Sequence, residues 1–411
     1  MRILSWTVMA LAGVILASSV GRTQIDPNPA MNNPDRLAWE LFIQVNSPTT
    51  GSADTNNALF ETWARDDDTF RTTPVWPNGP TPILGGPRAL SLAMQSHVGF
   101  QPQVVPGGTR LVSEETRRNR PDFDFIVNNN LYKVSGLKAA YASGKTLSFP
   151  RDSLEVKANW VEVARLKEFN GFTGTAAEAA KLYHVNSTGG KQYALVAFHI
   201  ISKLVPNWTW ATFEHTDNPG RCDVLGCIDG FGAVNANVAP QSPTETATEP
   251  WTPKSTHYAA CVKSPALAAM LAAAKLDPAF SNYCLKGSQA DFADPTGLSY
   301  RVGNSVTEFG FVAQASCMSC HARAGFDATG KMSSFAGFDP VSPDRPGNEQ
   351  NNIGNAPVGT PRSTWFWVPS GMTGANTRIA QPADFVWSVP FCAIDDTATP
   401  AETRSKYCRN K

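Results

Sequence analysis

The chain has 411 residues, with 35 basic side chains against 35 acidic ones, and only 17% of its residues are charged. That balance excludes the basic footprint of a nucleic-acid binder and gives no electrostatic reason to sit on an anionic membrane. The length allows one large or two medium domains.

Met1-Arg2 precedes an apolar run from Ile3 to Ala17, broken by Ser5, Thr7 and Gly13 and followed by Ser18, Ser19 and Gly21. The run is shorter than the roughly 20 residues of a spanning helix, so it predicts a signal peptide over 1–21 and a periplasmic or secreted protein with no later membrane span. Next, Asn33-Pro34 reads as an N-cap with Pro at the first helical position. Leu37, Ala38, Leu41, Phe42 and Val45 then share one face, with Trp39 at its margin. Residues 71–121 are rich in Pro, Gly and Arg without a sustained period and predict irregular structure.

The centre reads as β. Leu154, Val156, Ala158 and Trp160 alternate with Glu155, Lys157 and Asn159, the period of a strand with one buried face. The apolar run Tyr193 to Val205, the break Pro206-Asn207 and the run Trp208 to Phe213 predict a hairpin in an antiparallel sheet. Residues 216–257 predict a long loop, and Ser264-Pro265 opens a helix through Leu267, Met270, Leu271 and Ala274 that stops before Asp277-Pro278.

The last quarter holds the chemistry. Cys317-Met318-Ser319-Cys320-His321 is a single C-x-x-C-H, the spacing of covalent c-type haem attachment. On a helical turn, positions i, i+3 and i+4 bring two thiols and an imidazole to one face, matching two vinyl groups and an iron. Ser305-Val306-Thr307-Glu308 has the form of a capping box, from which Phe309, Val312, Ala313 and Ser316 lead with helical period into the motif. A zinc ribbon would need a second cysteine pair or a His pair at metal spacing, which Cys222, Cys227, Cys261, Cys284, Cys392 and Cys408 do not supply. These six are even in number, and an oxidising compartment would let them pair. Neighbours in sequence are the simplest pairing, though spacing alone leaves the connectivity open.

With this motif, residues 301–411 resemble a small class I-like cytochrome c domain, with a closing helix near Trp387. The whole chain resembles exported bacterial single-haem proteins of unassigned activity that carry segments such as Trp208-Thr209-Trp210-Ala211-Thr212-Phe213-Glu214-His215 and Asp384-Phe385-Val386-Trp387-Ser388. The resemblance implies one covalent haem c held by Cys317 and Cys320, His321 as proximal ligand and a later Met opposite. Met372, in the turn-like Pro369-Ser370-Gly371-Met372-Thr373, is the candidate, because Met318 lies within the motif and Met332 follows too closely. His97, His184, His199 and His257 read as structural or surface residues. His215, beside Glu214 at a strand end, is the alternative distal group. Trp365, Phe366 and Trp367 could wall the haem or belong to a core.

The expected fold is α+β: a large domain over 22–300 with an antiparallel sheet and flanking helices, then a mainly helical haem domain over 301–411. Two functions follow. One is single-electron transfer to a redox partner protein. The other is a haem oxidoreductase, peroxidase- or oxygenase-like, with an open distal site and a pocket for a small-molecule substrate built by residues 22–300.

Overall fold

The computed structural model describes residues 28–49, 57–81, 83, 111–241, 256–308, 312, 315–332, 352–353, 356–357, 360–361, 363–368, 377–405 and 408. The expected signal segment, His97 and Met372 lie outside the described residues.

Helices α1 (Asn28–Asn32) and α2 (Pro34–Val45) come first, and α2 starts where its N-cap predicts: Asn33 Oδ1 accepts the Arg36 N–H at 3.1 Å. The centre is a seven-stranded antiparallel sheet of β1 (Ala64–Arg65), β2 (Val112–Arg118), β3 (Leu154–Glu162), β4 (Val185–Thr188), β5 (Lys191–Ser202) and β6 (Thr209–His215). After the small ribbon of β7 (Cys227–Ile228) and β8 (Asn237–Val238), β9 (Tyr283–Gln289) completes it. The spatial order is β1-β2-β3-β5-β6-β9, with β4 alongside β5. The β5–β6 hairpin is present, with Ser202 opposite Thr209. The irregular stretch expected over 71–121 ends sooner, because Val112–Arg118 is a strand. Its charged sequence gives no apolar alternation from which to read one.

Period-two alternation sorts the sheet into two faces. Leu154, Val156, Ala158, Trp160, Phe198, Ile200, Ala211, Phe213 and Leu285 pack against Leu37, Trp39, Leu41, Phe42 and Val45 of α2. Phe42 and Phe213 lie 4.8 Å apart, and Trp39, expected at the margin, is fully buried with its Nε1–H donated to Asp229 at 2.9 Å.

The opposite face corrects the reading of β3 as a strand with one buried side. Glu155 and Asn159 are 6% and 2% exposed. Glu155 pairs with Arg118 at 3.3 Å and Asn159 accepts the Thr307 hydroxyl at 2.6 Å, and a second core forms on this face: Ile201, Trp208 and Trp210 of the hairpin, Ile126, Leu137 and Phe149, and Met318, Ala324, Phe326, Trp365, Trp387 and Phe391. The division expected at residue 300 therefore runs through a packed core. Among the described residues after 300 the α-helices are Cys317–His321 and Ser388–Cys392, of five residues each. A mainly helical C-terminal domain is not what these described segments form.

Three disulfides, Cys222–Cys227, Cys261–Cys284 and Cys392–Cys408, join sequence neighbours. They are compatible with an oxidising compartment. Among the described residues no helix is long and apolar enough to cross a membrane.

Candidate haem-type site

With six cysteines paired, Cys317 and Cys320 are the free ones, both half-buried on the helix Cys317–His321. That helix has no capping side chain of its own. Instead β9 fixes its start, where Gln289 Oε1 accepts the Met318 N–H at 3.2 Å and Gln289 Nε2 donates to Ser316 Oγ at 3.4 Å, while Met318 is buried in the second core. The short helix expected to lead from Ser305 into the motif is not formed over 305–308, where the chain turns and bends. Asn304, one residue earlier, is the capping side chain: its Oδ1 accepts the N–H groups of Val306 and Thr307, and Glu308 Oε2 accepts the Asn304 N–H at 2.7 Å. A Cβ on Gly303 would stand 2.4 Å from the Ala315 Cβ, so only glycine lets this turn run against the entry to the motif.

His321 is held from both sides. Its Nδ1 lies 2.8 Å from the carbonyl oxygen of Phe385, and the Trp210 ring centre is 4.5 Å from its own. A carbonyl only accepts, so Nδ1 carries the proton and Nε2 keeps its lone pair. Burial pushes the imidazole down to about 3, which keeps it neutral, and burial pushes the Cys320 thiol up to about 12 and the Cys317 thiol well above its ordinary value.

Phe385 presents its carbonyl because the backbone turns left-handed over two successive non-glycine residues, with φ 50° at Asp384 and 72° at Phe385. Such a conformation costs on the order of 1 kcal/mol or more per residue and persists where contacts over-determine it. Here Asp384 Oδ2 accepts the Phe149 N–H at 2.7 Å and Oδ1 meets Lys203 Nζ at 2.5 Å. Downstream, Trp387 Nε1 donates to the Cys320 carbonyl at 3.2 Å, and Ser388 Oγ accepts from Arg118 at 3.1 Å. The segment Asp384 to Ser388 is a clasp over the motif helix.

No family model, curated protein or solved structure matches the chain. Function has to be argued from the geometry.

The polar face of the sheet lies beside the motif. Lys157 and Glu308 act electrostatically on both thiols and on His321. Lys157 pairs with Glu114 at 3.2 Å, and His199 Nε2 stands 3.1 Å from Glu308 Oε1. Burial would raise Glu308, but the charge and hydrogen bond of His199, together with Lys157, hold it below the usual carboxylate value. The sequence reading set His199 aside as a residue inside a hydrophobic run. The missing signal was register, which aligns Lys157, His199 and Thr212 across three strands.

His215 is no distal group. It points to the face opposite Trp210, its Nε2 donates to the Leu182 carbonyl at 3.0 Å, its Nδ1 accepts the Asp217 N–H at 3.2 Å, and Tyr183 stacks on it at 3.7 Å. Burial pushes it down to about 3. Trp365 is buried under Arg323 at 4.4 Å, and Trp367 is exposed. A further cluster, Asp66 with Cys392 and Cys408, has metal-like spacing. Its sulfurs are spent in a disulfide and its carboxylate pairs with Arg118 at 2.5 Å.

Proposed function

We propose that this protein is an exported c-type cytochrome that carries one haem on Cys317, Cys320 and His321 and transfers single electrons. The carrying observation is the Phe385 carbonyl on His321 Nδ1. It fixes the tautomer and leaves Nε2 free for a metal, the outer-shell arrangement that orients and strengthens a ligating imidazole. The donor set fits the group: two unpaired thiols one helical turn apart, adjacent to a neutral imidazole. When bound, the haem supplies a one-electron couple. The chain's contribution is to bury it, to hold His321 by the Asp384 to Ser388 clasp, and to place Trp210 against the imidazole. Met372 is the proposed opposite ligand.

The test is spectroscopic. Protein expressed with a cytochrome c maturation system is denatured, and haem that stays with the chain through denaturation, and is lost in Cys317→Ser/Cys320→Ser, supports the assignment. Free haem in the supernatant overturns it.

The alternative, an oxidoreductase with an open distal position, is favoured by the buried His199 and the half-buried Lys157 and Glu308 beside the motif. Carbon monoxide separates the two. If Met372 were to close the position opposite His321, the reduced protein would take up no carbon monoxide and Met372→Ala would, whereas an open position would bind it in both.

A further inference from the structure

His199 sits between two hydrogen-bonding states. Its Nδ1 is 2.8 Å from Thr212 Oγ1, and the Thr212 hydroxyl is itself donated to the Val302 carbonyl at 2.7 Å. Thr212 can therefore only accept, and Nδ1 carries a proton in every state. Nε2 faces Glu308 Oε1 at 3.1 Å and Asn304 Nδ2 at 3.2 Å. The Asn304 amide cannot turn over without loss, because its Oδ1 accepts from Val306 and Thr307. One neighbour of Nε2 calls for an N–H and the other for a lone pair. A protonated His199 donates to Glu308, and a neutral His199 accepts from Asn304. Neither state orphans the ring.

We propose that His199 takes up one proton when the haem gains one electron, so that the protein moves the two together. The inference rests on the haem assignment above. The balance is simple: a one-electron reductant supplies the electron, ferric iron becomes ferrous, a solvent proton binds His199 Nε2, and the net charge of the region is unchanged. The electron's negative charge favours the imidazolium, and oxidation releases the proton. The titratable groups around this pair come from four directions: Lys157 and its partner Glu114 on β3 and β2, Glu214 on β6, Lys286 on β9 at 3.6 Å from Glu214, and Cys317, Cys320 and the neutral His321 on the motif helix. Apart from His199, the groups that act on Glu308 are the paired lysines Lys157 and Lys286, the neutral His321 and the two motif sulfurs, which the haem would hold as uncharged thioethers, so the proposal assigns the change of charge to His199.

The experiment is a redox titration of the haem-loaded protein at several pH values between about 5 and 9, where histidine side chains exchange protons. The potential is expected to fall as pH rises, approaching about 59 mV per pH unit at its steepest, the tenfold-per-unit slope of a one-proton, one-electron couple. His199→Gln flattens that slope. Asn304→Ala removes the donor that serves neutral His199, so the sloping region moves to higher pH, a readout that survives if His199→Gln fails to fold. An indicator dye in weakly buffered solution counts the protons taken up per electron as a check. A flat wild-type potential overturns the proposal, and so does a slope that persists in His199→Gln or does not move in Asn304→Ala. If no haem is attached, the haem assignment itself has failed, and that outcome is distinguishable because the titration cannot be started.

Discussion

His184 shows how strongly single side chains here depend on their surroundings. It is fully buried, with Nε2 3.1 Å from Glu61 and Nδ1 3.0 Å from Asp277. Burial would lower it, but the two carboxylates outweigh burial and raise it to about 9. A raised histidine stabilises the fold fully below its unfolded value of about 6.5 and loses that contribution as pH climbs through about 9. Urea denaturation should thus show stability falling over this range by on the order of 3 kcal/mol, with His184→Gln less stable at neutral pH and flat across the same range. Asp384 makes a second case. Asp384→Ala leaves Lys203 without its buried partner and frees the left-handed turn, at a cost of about 3 kcal/mol or more by chemical denaturation. In the haem-loaded protein it also loosens the bond from His321 to Phe385, and a less basic imidazole raises the potential measured against wild type.

Among the elements, those with a local signature were readable and those made by pairing were not. The cap at Asn33, the stripe of α2, the Ser264-Pro265 helix start and the Pro206-Asn207 hairpin break each lie within a few residues, so one sequence suffices to find them. Strands β2 and β9 are charged or mixed, Val112–Arg118 and Tyr283–Gln289, and become strands because neighbours offer them hydrogen bonds. For the site, the motif was legible as spacing. The clasp was visible only as an unexplained pattern, since Asp384 acts through Phe149 and Lys203, which are remote in sequence. The His199–Glu308 pair was invisible for the same reason. The chain fragments 22–300 and 301–411 test the shared core directly: expressed separately, each is expected to give poorly dispersed amide resonances, and a well-folded 301–411 fragment would refute the packing described.

The three disulfides brace the molecule at different places, and Cys392–Cys408 closes the chain just behind the clasp. Removing it with Cys392→Ser/Cys408→Ser should cost roughly 2–4 kcal/mol, read as a lowered melting temperature, and added reductant, which also opens the other two bridges, lowers the wild type by more than it lowers the variant. Timing is built into this arrangement. The carbonyl that orients His321 lies 64 positions after it, and synthesis runs from the N-terminus. If the chain carries the proposed haem, the thiols and imidazole would be available for it before their clasp exists. On the proposed function cofactor capture would come first and alignment last, so a chain stopped before Asp384 should hold its porphyrin covalently yet leave the imidazole free to swivel.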